Sequence, residues 1–206
     1  ILDAVFDEAR RHPGREQFVQ LALADTDRRV AEGKPVAPSF LLACLLWHDV
    51  QDQWKRLMAK GEPAFPALQA ATDSVFDARI GDISGRGKLA SDMREIWTMQ
   101  PRFDKRVGNG PLALVEQPRF RAGFDFLRLR GQCGEVDPLL ASWWEAFSLA
   151  EAPERKQLLE EARHQESARR AAQAASGEEV DAPARKRRRR RRKPAGEGGG
   201  RDTAQD

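Results

Sequence analysis

The side chains of this 206-residue chain that could do chemistry are its carboxylates, three histidines, two cysteines and many guanidiniums. Asp25-Thr26-Asp27 has the form of a carboxylate pair that holds metal ions for phosphoryl transfer. No further carboxylate or Gly-Ser loop stands near it, so a helix-terminal charge pair is the expectation. Gly81 to Lys88 superficially resembles a phosphate-binding loop, but its first glycine comes one place early and Leu89 stands where Ser or Thr is required. His12, His48 and His164 are scattered, with no nucleophile beside them, and His48 after Trp47 reads as a histidine at the edge of a core. Cys44 and Cys133 lie far apart in apolar or loop contexts. That is a cytosolic pattern, without a disulfide framework or metal-ligand spacing. No catalytic residue, metal site or cofactor is therefore expected within this chain.

The guanidiniums point instead to phosphate. Arg185, Lys186, Arg187, Arg188, Arg189, Arg190, Arg191, Arg192 and Lys193 form an unbroken run of nine cations. Taking those nine from the formal net charge of +3 leaves −6 for the remainder, so any nucleic-acid surface on the body must be local. Arginine binds phosphate through paired hydrogen bonds and stacks on unpaired bases, which favours RNA over a merely solubilising tail, a membrane anchor or a nuclear address. A second group of cations lies between Asp92 and Arg130, where arginines alternate with large aromatics and Pro-Arg-Phe occurs at 101–103 and 118–120. The phosphate candidates are Arg94, Arg102, Lys105, Arg106, Arg119 and Arg121, with Arg128 and Arg130 beyond them. Asp125 is spaced to pair with Arg121 and Arg128, which leaves Arg102 and Arg106 as the better candidates. Trp97, Phe103, Phe120 and Phe124 are expected in the core.

These side chains must be positioned by helices, since no segment alternates with a period of two. Helical spacing covers Leu2 to Arg11, Glu16 to Ala31, Phe40 to about Ala59, Ala64 to Ile80, and Leu89 to Gln100, where Pro101 is expected to end the helix. Leu112 to Glu116, Arg119 to Arg130 and Pro138 to Ser148 follow. The half-helix Phe40 to Trp47 is apolar all round, as for a central helix buried on several sides. It is too short to span a membrane, and no apolar run approaches that length. The expected fold is all-α: an irregular helical bundle over 1–150, a charged solvated helix or linker over 151–175, and a disordered basic tail over 176–206. The chain opens on Ile1 in mid-pattern without Met, as a piece of something longer would.

Four ordered motifs carry a resemblance. They are Gly33-Lys34-Pro35-Val36-Ala37-Pro38-Ser39-Phe40 leading to Trp47; Arg94-Glu95-Ile96-Trp97 with Gln100-Pro101-Arg102-Phe103; Glu116 with Pro118-Arg119-Phe120-Arg121-Ala122 and Phe124-Asp125; and Trp143-Trp144 with Phe147. In order and spacing, and with the arginine-rich ending, they resemble the C-terminal half of bacterial poly(A) polymerase I. The resemblance implies a parent enzyme that adds AMP from ATP to RNA 3′ ends with magnesium, using a catalytic domain whose Gly-Ser loop and paired carboxylates are absent here. It implies that this part holds RNA in the cytoplasm. The alternative is a domain that braces the catalytic half or recruits RNA-decay proteins and helicases as partners, with only the tail on RNA. One departure is Asn109-Gly110-Pro111, where the family often carries a Lys-Arg pair. That shifts the expected contacts towards Arg102 and Arg106.

Overall fold

The computed structural model describes residues 13–79 and 87–175. The helix expected over Leu2 to Arg11, the loop after Ile80 and the basic tail lie outside the described residues. Among those described there are eight helices and no strand, so the chain is all-α. They are α1 (Pro13–Ala31), α2 (Pro38–Ala59), α3 (Ala64–Arg79), α4 (Lys88–Phe103), α5 (Gly110–Val115), α6 (Phe120–Gln132), α7 (Pro138–Leu149) and α8 (Ala152–Ala175). The described residues up to Ala168 belong to one compact unit, and those from Arg169 onward to another.

Local chemistry sets the boundaries. Proline opens α2, where the preceding Ala37 is held extended at φ −87°, ψ 118°. Pro138 opens α7 behind Asp137, whose side chain accepts a hydrogen bond from Leu139 N at 2.9 Å. After α2, Gly61 takes φ +91°, which glycine tolerates without a Cβ clash.

Helix α2 is the central element, packing against α1, α3, α4 and α6. That placement matches its all-round apolar first half. Ala43, Cys44, Leu46, Trp47 and Val50 are buried in a first core with Phe18, Leu68, Phe76, Trp97 and Phe126. Trp97 Nε1 donates to Ala43 O at 3.1 Å, and Trp47 meets Phe126 edge-on at 5.3 Å. A second core joins Met99, Phe103, Leu114, Phe120, Phe124, Leu127, Trp144 and Phe147. There Trp144 Nε1 donates to Phe103 O at 2.8 Å. Burial of each such side chain contributes roughly 1.5–3 kcal/mol. The aromatics of the 92–130 stretch are therefore core, as expected.

Helices α4 and α6 belong to both cores and form the wall between them. Gln100 ties the two together. Its Nε2 donates to Ile96 O at 3.0 Å and Gly123 O at 3.2 Å, while its Oε1 accepts from Arg130 Nη1 at 3.2 Å. A buried amide with all these partners is satisfied rather than a liability.

Two expectations are corrected. Pro101 does not end α4, which continues through Phe103. The proline falls in the last turn, where the burial of Met99, Gln100 and Phe103 holds the helix past its missing N–H. The charged helix α8 is not solvated throughout. Leu158 and Leu159 pack on the second core, Ala162 is buried, and Arg155 donates to Phe147 O and Ser148 O at 3.1 and 3.2 Å.

Candidate nucleic-acid interface

The expected cations separate into three places. Arg94, on α4, turns towards α3, where it pairs with Asp73 at 2.7 Å and lies 5.3 Å from the centre of the Phe76 ring. Arg119, just before α6, pairs with Asp92 in the first turns of α4 at 2.6 Å. Arg102, Lys105 and Arg106 lie at the opposite end of α4. Ten residues of helix separate Asp92 from Arg102, or about 15 Å. A continuous strip along 92–130 is therefore divided by the length of α4.

Engagement differs as much as position. Arg121 approaches Asp125 through two nitrogens, Nε at 3.1 Å and Nη2 at 3.0 Å, yet its side chain remains 70% exposed. Arg128 lies 3.3 Å from Asp25 and 3.7 Å from Asp125. The pairing expected from the spacing of Asp125 is thus present, with Asp25 added from α1. Arg130 faces inward, donating to Glu135 at 3.1 Å and lying 5.0 Å from the Trp47 ring centre. It is a structural cation. Arg102 and Lys105 are exposed and have no ion pair among the described residues. Arg106 lies 5.9 Å from the Trp143 ring centre, which leaves its N–H groups open to an outside acceptor.

The rejected catalytic readings find no support in the geometry. Asp25 pairs with Arg28 and Arg128, and Thr26 Oγ1 donates to Ala22 O at 2.8 Å, so Asp25-Thr26-Asp27 is helix-surface chemistry. Among the described residues no three His, Cys, Asp or Glu side chains converge as a metal site. Burial pushes the Cys44 thiol well up, and burial with the Glu135 charge pushes Cys133 up to about 11. Neither is a thiolate nucleophile at neutral pH. His48 stands at the edge of the first core, edge-on to Phe18, with Nε2 2.9 Å from Glu135 Oε1.

One feature is not legible in the motif spacing. The Gly33–Phe40 and Glu116–Asp125 segments fold against one another and enclose a cleft of about 210 Å³. Asp25 and Arg29 from α1, Phe40 from α2, and Arg119, Arg121 and Asp125 line it. Arg29 has no place among the sequence candidates. Its nearest signal is the Pro35 in the following loop, whose carbonyl accepts from Arg29 Nη2 at 3.1 Å.

Residues 60–194 match the family model described as the polymerase A arginine-rich C-terminus. The chain is 30% identical over 162 residues to poly(A) polymerase I of Haemophilus influenzae, covering 78% of this chain and 36% of that protein. It is 32% identical over 149 residues to poly(A) polymerase I of Salmonella typhi, covering 71% and 32% respectively. For the protein of that name from Escherichia coli O157:H7 the identity is 29% over 158 residues, covering 75% and 34%. The chain thus spans about a third of the length of the curated relatives it matches.

Proposed function

The chain belongs to the polymerase A arginine-rich C-terminus family, as the C-terminal region of a bacterial poly(A) polymerase, and on that premise we propose that it holds RNA for an enzyme that adds AMP to RNA 3′ ends. The observation that carries this reading is that the family match extends through Arg185 to Lys193. Guanidiniums bind phosphates with release of condensed counterions. Arg102, Lys105 and Arg106 add a fixed cationic patch on the body, while Arg94, Arg119 and Arg121 reach RNA only by sharing or exchanging their carboxylate partners. ATP and magnesium are used by the parent enzyme in this proposal. Among the described residues no three His, Cys, Asp or Glu side chains converge to hold magnesium, and no step of the reaction is assigned to these residues. The proposed setting is the cytoplasm. No described helix is long and apolar enough to cross a membrane.

Deleting Arg185 to Lys193 tests the reading. Affinity for single-stranded RNA is expected to fall. The dependence of log K on log salt should flatten by about four if roughly six phosphates are no longer neutralised. An unchanged slope would remove the tail from the interface.

A second reading is supported by the ion pairs of Arg94, Arg119, Arg121 and Arg128. In it the helices brace the catalytic half or recruit RNA-decay proteins or helicases, and only the tail meets RNA. Replacing Arg102, Arg106, Arg119 and Arg121 together by Gln separates the two. Full RNA affinity in a folded quadruple variant favours the bracing role.

A further inference from the structure

We infer that the cleft between α1, the loop before α2 and the start of α6 is a subsite for one unpaired nucleotide. The inference rests on the RNA-holding reading above and assigns to it a fixed site independent of the cation run.

The apolar part of the lining is formed by the half-buried Val36, Phe40 and Ala122 with the exposed prolines 35 and 118. Its volume of about 210 Å³ suits a single base rather than a duplex, and unpaired RNA is read by splaying bases out of the stack. Arg29 and Arg121 of the same lining are the phosphate contacts of this proposal. Arg121 meets Asp125 through Nε and Nη2, so Nη1 is left for a ligand on a side chain that is mostly exposed. Arg29 gives Pro35 O one hydrogen bond from Nη2 and retains its other N–H groups.

The carboxylates decide between possible occupants. Both Asp25 ion pairs, from Arg28 and Arg128, end on Oδ1, which leaves Oδ2 as an acceptor. A nucleotide carries N–H donors on its base edge and a phosphate at its other end, so it satisfies both kinds of wall. An acidic peptide would bring its carboxylates against Asp25 and Asp125 in the same space. Like charges at that distance oppose it. A cationic segment is opposed in turn by Arg29, Arg119 and Arg121. The mixed lining therefore selects a ligand that is anionic at one end and a neutral hydrogen-bond donor at the other.

The experiment uses the full 206-residue chain with a labelled oligoadenylate of about ten nucleotides. Salt is set at roughly 0.3 M, where binding by the run of nine cations is weakened. Ala37→Trp places an indole at an exposed position lining the cleft and changes no charge. It is expected to lower affinity by about tenfold, as is Arg121→Gln. AMP alone should shift the amide resonances of Val36, Ala37 and Ala122 in the unmodified protein and not in Ala37→Trp. If the unmodified protein binds the oligonucleotide and both variants bind it equally well, the subsite is overturned while the RNA-holding function stands. If the unmodified protein binds neither oligonucleotide nor AMP, both fall. Amide shifts produced by an acidic peptide instead of AMP would assign the cleft to a protein partner and overturn the subsite.

Discussion

Trp47 Nε1 donates a hydrogen bond to Glu135 Oε2 at 3.0 Å, across 88 residues of sequence. The same carboxylate meets His48 at 2.9 Å and Arg130 at 3.1 Å. One side chain in the loop between α6 and α7 thus fastens the middle of α2 to the end of α6. Burial alone would push the Glu135 carboxyl up. The hydrogen bonds from His48 and Trp47, together with the Arg130 charge, outweigh it and hold the pKa at about 2.

Acid stability should report this contact. Because the folded pKa lies below the ordinary value of 4.5, Glu135 contributes stability that is full above about pH 4.5 and lost as pH falls towards 2. Glu135→Gln is expected to lower Tm at pH 7 and to reduce the decline of Tm between those limits. Parallel Tm–pH curves for the two proteins would count against the contact. Glu135→Ala should cost about 2–4 kcal/mol in denaturant unfolding, because it leaves Arg130 and Trp47 without their acceptor.

Gly123 of α6 packs directly against Met99 of α4. A Cβ added there would lie 2.7 Å from Met99 Sδ and 3.4 Å from Met99 Cβ. Alanine gains about 1 kcal/mol in helix propensity over glycine, yet Gly123→Ala should still be destabilising by about 1–2 kcal/mol through overpacking. A double-mutant cycle with Met99→Ala should show that the Gly123→Ala penalty shrinks once the sulfur is gone. Additive effects would refute the steric account.

Trp144 is buried and gives its indole N–H to Phe103 O, which fixes α7 against the end of α4. Trp144→Phe is expected to cost about 2–4 kcal/mol, combining lost volume with an unpaired carbonyl. Urea unfolding should show a lower midpoint with an unchanged slope. A loss under about 1 kcal/mol would show that the second core tolerates the gap.

The patch at the end of α4 predicts a salt effect of its own. Replacing Arg102, Lys105 and Arg106 by Gln should flatten the salt dependence of single-stranded RNA binding by about two, at roughly 0.7 for each phosphate no longer neutralised. The fold should be unaffected, since Arg102 and Lys105 are exposed and without ion pairs among the described residues. An unchanged slope, with tail deletion abolishing it, would confine RNA to the tail.

What the sequence determined by itself was the helical architecture. Periodic apolar residues make α2, α4 and α6 readable because a helix face follows from spacing alone. The all-round apolar run from Phe40 similarly announced a central helix. The pairing of Asp125 with Arg121 and Arg128 was readable for the same reason, since residues three and four apart on a helix are neighbours. Pro101 was misleading because burial of the surrounding turn holds a helix past a missing N–H, and burial is not a local property. Only the tertiary structure decided which cations are engaged. Arg94 and Arg119 meet Asp73 and Asp92 across 21 and 27 residues, and Asp25 reaches Arg128 across 103. The cleft has the same origin. Its walls come from three stretches of chain, and no spacing within any one of them places Arg29 beside Arg121.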